Sequence, residues 1–242
     1  MQFNIEKLLF FDIETVSQYK DIDELPKQEF KLWWSYYDNF KERVTDKSKL
    51  SNTDSNFSVE ALEKNKKEVY RQTAAFFPEF GKVACVSLGF VTKGGKTKFE
   101  SFYGKDEVDI LKKVRDIFNK VDTLDFSLCG QNIKNFDIPF LGKRFVINGL
   151  RPPNIFPSHD TKPWEMKVLD TKDVWSFGSK WGLGSLDLIC SSLKIDSPKN
   201  GDVKGDNVNT NFWVDNHEEI KEYCEKDVKA LIDIIIKFNN LK

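Results

Sequence analysis

Asp12 and Glu14 end an apolar run, Leu8-Leu9-Phe10-Phe11-Asp12-Ile13-Glu14-Thr15, that has the length and composition of a buried strand. Side chains alternate faces along a strand, so Leu8, Phe10, Asp12 and Glu14 point one way and Leu9, Phe11, Ile13 and Thr15 the other. Two carboxylates side by side at the rim of a core repel each other and are costly to desolvate unless a cation neutralises them. Oxygen ligands of this kind suit Mg²⁺ or Mn²⁺. Taken alone, the pair is also what a strand shows where it leaves the core for water.

Two further acids stand in unusual places. Near the C-terminus Ile220, Tyr223, Cys224, Val228, Leu231, Ile232 and Ile235 fall at helical spacing, and Asp227 lies on that stripe four residues after Tyr223, sharing its face. An acid facing a core is expensive unless it is paired, metal-bound or at the stripe's edge. Asp137, in CGQNIKNFDIPFL (129–141), precedes Pro139 at a helix start, where the helix dipole alone favours an acid. Asn132 in the same stretch also reads as a plain turn residue.

The elements that must hold these side chains follow from periodicity. After the first strand, residues 17 to about 77 read as a mostly helical insertion: a helix over 29–44 with a broad aromatic face, a polar loop over 46–58, and a helix over 59–73 with Ser58 as N-cap. Trp33, Trp34, Tyr36 and Tyr37 could stack bases, but anchoring the insertion is the stronger expectation, with one or two of them left to line a groove. KVACVSLGFV (82–91) and TKFESFY (97–103) flank a Gly-Gly turn and form an antiparallel hairpin. A helix over 106–121, a strand over 125–130, a helix ending near Asn148-Gly149, a Pro-rich loop over 150–166 and a strand over 167–174 follow. Helices over 183–193 and 218–238 enclose a polar loop over 196–206. The fold class is α/β, a mixed sheet flanked by helices, in one domain over 1–242.

With these residues quoted, FDIET (11–15), GQNIKNFDIPFL (130–141) and YCEKD (223–227) resemble the DEDD 3′–5′ exonucleases of ribonuclease H-like fold, tyrosine subclass. The resemblance extends over nearly the whole chain and points to stand-alone relatives of the family B DNA polymerase proofreading domain; KNGDVKGDNV (199–208) is similar to the same subgroup. It implies a metal-binding quartet of Asp12, Glu14, Asp137 and Asp227 holding two divalent ions, Mg²⁺ or Mn²⁺. Asp12 would bridge them, and Tyr223 would orient or help deprotonate the attacking water. The position that carries a histidine in the other subclass is Glu222 here, and neither His159 nor His217 can fill that role. Thr15, Asn132, Lys134 and Phe136 are the implied substrate contacts. Lys143 and Arg144 could touch the nucleic-acid backbone, although solvated helix charges are the plainer expectation.

The expected substrate is the 3′ end of single-stranded DNA, with RNA trimming as the alternative and a non-catalytic nucleic-acid-binding scaffold as the rival of another class. A net charge of −1 advertises no basic surface, which suits a reaction whose electrostatic work falls to metal ions. Cys85, Cys129, Cys190 and Cys224 are isolated, with no C-x-x-C pair, so structural zinc is not expected. Isolated thiols, no stretch near the roughly 18 apolar residues of a membrane span and no signal-peptide pattern lead to a cytoplasmic expectation, with no membrane partner. At 242 residues no polymerase domain fits beside the exonuclease, so a proofreading role would need a separate polymerase or replication protein.

Overall fold

In the computed structural model, which describes residues 2–43, 59–179, 184–197 and 203–241 (at 59–62 the backbone only), the apolar run becomes the central strand β1, Leu8–Ser17. β2 (Gly81–Val91) lies antiparallel to it, β3 (Thr97–Tyr103) closes the hairpin, and β4 (Ser127–Gly130) and β5 (Val168–Asp170) add parallel strands on the other side. The sheet order is β3-β2-β1-β4-β5, the mixed arrangement expected.

The alternation along β1 sorts two cores. Leu9, Phe11 and Ile13 pack with Leu111, Val114 and Phe118 of α3 (Glu107–Thr123) and Leu141 and Phe145 of α4 (Asp137–Ile147). Leu8 and Phe10 pack with Val228, Leu231, Ile232 and Ile235 of the long C-terminal helix His217–Asn239, which puts the face of Asp12 and Glu14 beneath that helix.

β1 and β2 are joined by the expected insertion, built from α1 (Lys27–Lys41), α2 (Val59–Thr73) and a 3₁₀ turn, Ala74–Phe76. Its aromatics form a core of their own in which Trp33 contacts Phe40, Tyr70 and Phe80 at ring-centroid distances of 4.3, 5.0 and 5.0 Å. Ser17 of β1 pairs with Gly81 of β2, so the insertion leaves and re-enters the sheet at one rung. A side chain at Gly81 would meet the Ala74 carbonyl at 2.9 Å and the Val16 carbonyl at 3.1 Å, so this close return requires glycine. The polar loop and its Ser58 cap lie outside the described residues.

Several expectations need correction. The 167–174 strand stops at Asp170, whose carboxylate accepts from the Lys172 N–H and caps a short helix, α5 (Thr171–Ser176). After α6 (Leu186–Leu193) a helix not foreseen, α7 (Val208–Trp213), precedes the C-terminal helix, hereafter α8. Arg144 is neither solvated nor free to touch a nucleic-acid backbone. It is 3 % exposed, donates through Nε to Glu107 Oε1 at 2.8 Å, and donates through Nη1 to the Pro78 carbonyl at 2.7 Å. Lys143 is exposed and pairs with Glu79.

Candidate active site

β4 pairs with β1 only from Leu8 to Phe10, so beyond Phe10 the edge of β1 is open. Asp137, the first residue of α4, fills that opening, and its carboxylate accepts the Ile13 N–H together with its own. The first-turn position and the approach to Asp12 and Glu14 are thus compatible. Burial pushes the Asp137 carboxyl up to about 7, against those two hydrogen bonds, which lower it, while Asp170 and Asp227 raise it further.

Asp12 and Glu14 are pushed well above the ordinary carboxylate range. For Asp12 the causes are burial, then the charges of Asp227, Asp137 and Glu14; for Glu14, burial, then Asp227, Cys85 and Asp137. Asp227 is 8 % exposed on α8, one turn after Tyr223, and the two side chains are hydrogen-bonded. Burial, then Asp227, Glu14 and Asp12, raise the Tyr223 phenol far above its usual range. The structure therefore brings together all five residues singled out as catalytic candidates, from β1, α4 and α8.

Three buried carboxylates, Asp12, Glu14 and Asp137, each destabilised by the charge of Asp227, are the electrostatic signature of a site that gains from cations. Their oxygens are the donor set that hard divalent ions prefer. One neighbour was missed: Cys224, whose Sγ lies within 4.8 Å of a ligand oxygen of Asp12 and of Glu14. Its thiol donates to the Asp12 carbonyl at 3.4 Å and to Asp12 Oδ2 at 3.5 Å, and burial keeps it protonated by pushing its pKa well up. Because Cys224 falls on the apolar stripe, the sequence marked it only as core.

The four implied substrate contacts divide. Thr15 and Phe136 line a groove of about 1050 Å³ that starts at Glu14 and runs between the insertion and α7. Asn132 and Lys134 are used internally. Asn132 adopts φ 59°, its Oδ1 accepts from Lys172 Nζ at 3.1 Å, and Lys134 Nζ pairs with Asp173 at 2.8 Å. The backbone N–H groups of both donate to Asp170, at 2.8 and 3.1 Å, so this 2 % exposed acid fixes the turn leading into Asp137. Its position at a strand end, in the polar stretch Asp170-Thr171-Lys172-Asp173, disguised it as ordinary loop chemistry.

α7 forms the far wall. Asn209 Oδ1 accepts from the Ser17 N–H and hydroxyl, both at 2.9 Å, and its Nδ2 donates to the Arg71 carbonyl at 3.1 Å, clasping the end of β1 to the insertion. Gly205, before α7, borders the Tyr223 hydroxyl: a Cβ there would lie 3.9 Å from it.

A family model, described as a predicted 3′–5′ exonuclease related to the exonuclease domain of PolB, matches residues 74–240. The chain belongs to this family. The match contains Asp137, Tyr223 and Asp227 and begins after Asp12 and Glu14, which join the set through the geometry of β1. Among solved structures, the exonuclease is similar to the family B DNA polymerase from the hyperthermophilic archaeon Pyrobaculum calidifontis, at 14% identity and a TM-score of 0.57 over 96% of this chain. It spans 24% of that polymerase chain, and the likeness establishes the ribonuclease H-like fold. E. coli Exonuclease I in complex with a dT13 oligonucleotide also matches, at 14% identity and a TM-score of 0.45, over 69% of this chain and 39% of that one. No curated protein matches the chain. Among the described residues no helix is long and apolar enough to cross a membrane.

Proposed function

We propose that this exonuclease hydrolyses the terminal phosphodiester at the 3′ end of single-stranded DNA, using two Mg²⁺ or Mn²⁺ ions held by Asp12, Glu14, Asp137 and Asp227. The observation that carries the reading is the convergence of these four carboxylates with Tyr223, each acid raising the proton affinity of its neighbours. Two such ions, when bound, neutralise the phosphate, activate the attacking water and support the leaving 3′-oxygen.

The remaining steps belong to the chain. Asp12, whose carboxyl is raised by Asp227, Asp137 and Glu14, would be shared between the ions, with Glu14 and Asp227 completing one site and Asp137 helping to hold the other. Cys224 donates to Asp12 from behind and limits its rotation. Tyr223, held as a neutral phenol, is a hydrogen-bond donor at neutral pH. It is assigned the orientation of the attacking water, or help in its deprotonation once cations neutralise the acids that raise the phenol. Thr15 and Phe136 border the space that receives the end of the strand. The fold's likeness to a segment of a polymerase chain supports a proofreading or repair role.

The test is degradation of matched 5′-labelled single-stranded DNA and RNA oligonucleotides with Mg²⁺, Mn²⁺ or EDTA, using Asp12→Ala as control. The expected result is a metal-dependent ladder shortening from the 3′ end, faster on DNA and absent in the variant. Cleavage of neither polymer, with binding retained in EDTA, overturns the enzymatic assignment of this site. A faster reaction on RNA overturns the DNA assignment alone.

A further inference from the structure

β3 is the outer strand of the sheet, and its residues pair with β2 rung for rung, from Thr97 against Val91 to Tyr103 against Cys85, with no bulge and no proline. Edge strands ordinarily protect such a row of unpaired backbone groups with a bulge, a proline or a repelling charge. The hairpin fixes which groups these are. Across its turn the Thr92 N–H donates to the Lys96 carbonyl at 2.9 Å, so hydrogen-bonded rungs fall at Phe90 with Lys98 and at Leu88 with Glu100, and the backbone of Thr97, Phe99 and Ser101 points outward. Among the described residues no strand covers that edge.

The side chains along this edge complement themselves. Lys98 and Glu100 are exposed two residues apart on one face, and neither is ion-paired among the described residues. Phe99 between them is 40 % exposed on the other face, the one that α8 covers at Gly89. Antiparallel pairing of two copies about Phe99 sets Lys98 of each against Glu100 of the other, and Thr97 against Ser101. The two Phe99 rings then lie side by side, and the outward backbone groups of Thr97, Phe99 and Ser101 meet in hydrogen-bonded rungs. Moving the centre of pairing one residue either way sets Lys98 against Lys98 or Glu100 against Glu100, which is repulsive. A net charge of −1 leaves little long-range repulsion between copies.

We propose that the β3 edge is a self-association surface, on which a second copy of this chain adds its own β3 antiparallel and in register about Phe99, joining the two sheets into one. This goes beyond the nuclease reading and does not depend on it. Ser101 shares a rung with Ser87, and Ser87 with Asp12, so each acid cluster lies two strands from the shared edge. The two clusters would stand five strand spacings apart, about 24 Å across the sheet. The groove beside Glu14 is lined by the insertion and α7 and by no described residue of β3, so both sites stay open to substrate.

The test is sedimentation velocity on the full chain at concentrations up to about 100 μM, where an interface of modest affinity is populated. A monomer–dimer equilibrium is expected. Lys98→Glu or Glu100→Lys alone places two like-charge pairs in the interface and should raise the dimer dissociation constant at least about tenfold. The double exchange, Lys98→Glu with Glu100→Lys, restores the opposite charges and with them the association. An equimolar mixture of the two single variants should also associate, because every pair between them is Glu against Lys. A chain that stays monomeric at every concentration overturns the proposal and leaves the edge to a strand of another protein. A dimer indifferent to the single reversals, or a loss that neither mixing nor the double exchange restores, overturns it as well.

Discussion

Asp137 serves two ends. It satisfies the Ile13 N–H left over where β4 parts from β1, and it adds a fourth negative charge to a cluster already crowded with three. Its folded pKa of about 7 lies above the roughly 4 of an unfolded carboxyl. Asp12 and Glu14 are displaced in the same direction. For such groups stability is greatest below the unfolded value, falls as pH rises through the interval, and is lowest above the folded value. The metal-free protein should therefore melt at a lower temperature at pH 8 than at pH 5.5. Added Mn²⁺ should raise the midpoint more at pH 8, and Asp12→Asn should flatten the metal-free dependence while abolishing cleavage. A metal-free melting temperature independent of pH in this range would contradict the mutual repulsion described. At this scale the sequence was legible where a residue type clashed with its pattern, as with Asp12, Glu14 and Asp227. It was silent where the type agreed, as with Cys224 on an apolar stripe and Asp170 at a strand end.

α8 positions Tyr223 and Asp227 by lying directly on β1 and β2, and Gly89 sets how closely. A Cβ at Gly89 would come within 2.6 Å of Val228 Cγ1 and 3.2 Å of Ile232 Cδ1, so any side chain there forces the helix outward at the residue next to Asp227. Gly89→Val should cost about 2 kcal/mol of stability through overpacking and lower kcat per folded molecule. Urea unfolding together with active-site titration measures both, and full activity in the folded fraction would mean that α8 tolerates the shift. Long periodic segments such as α3 and α8 were readable from spacing. α5 and α7 were not, because six-residue helices are set by local caps and by what they clasp: Asp170 begins one, and Asn209 in the other holds Ser17.

At the level of the whole molecule the insertion and the sheet have separate hydrophobic cores, joined by the Phe76–Phe136 ring contact and by polar contacts. The buried Arg144–Glu107 pair is one: Glu107 Oε1 also accepts the Val83 N–H at 2.8 Å, and Arg144 reaches Pro78, so α3, α4, β2 and the returning insertion meet there. Breaking such a pair from one side costs about 3–5 kcal/mol, which is why this arginine cannot be spent on substrate. Trp33, fully buried among aromatics, is the counterpart within the insertion. Trp33→Ala should cost about 3–5 kcal/mol locally. Hydrogen exchange is expected to rise through α1 and α2 while β1 and α8 stay protected; uniform loss of protection would show one cooperative unit instead. The aromatic pattern announced a packed insertion, but not the exposure of Phe76, which depends on which way a three-residue turn faces.

Ser17 and Gly81 occupy one rung of the sheet, and everything between them departs from and returns to that single place. A replacement of different length or shape could be seated between the same two residues without moving Asp12 or Glu14. Chains built this way can exchange the insertion while inheriting the acid-bearing strand, so the two can diverge at different rates.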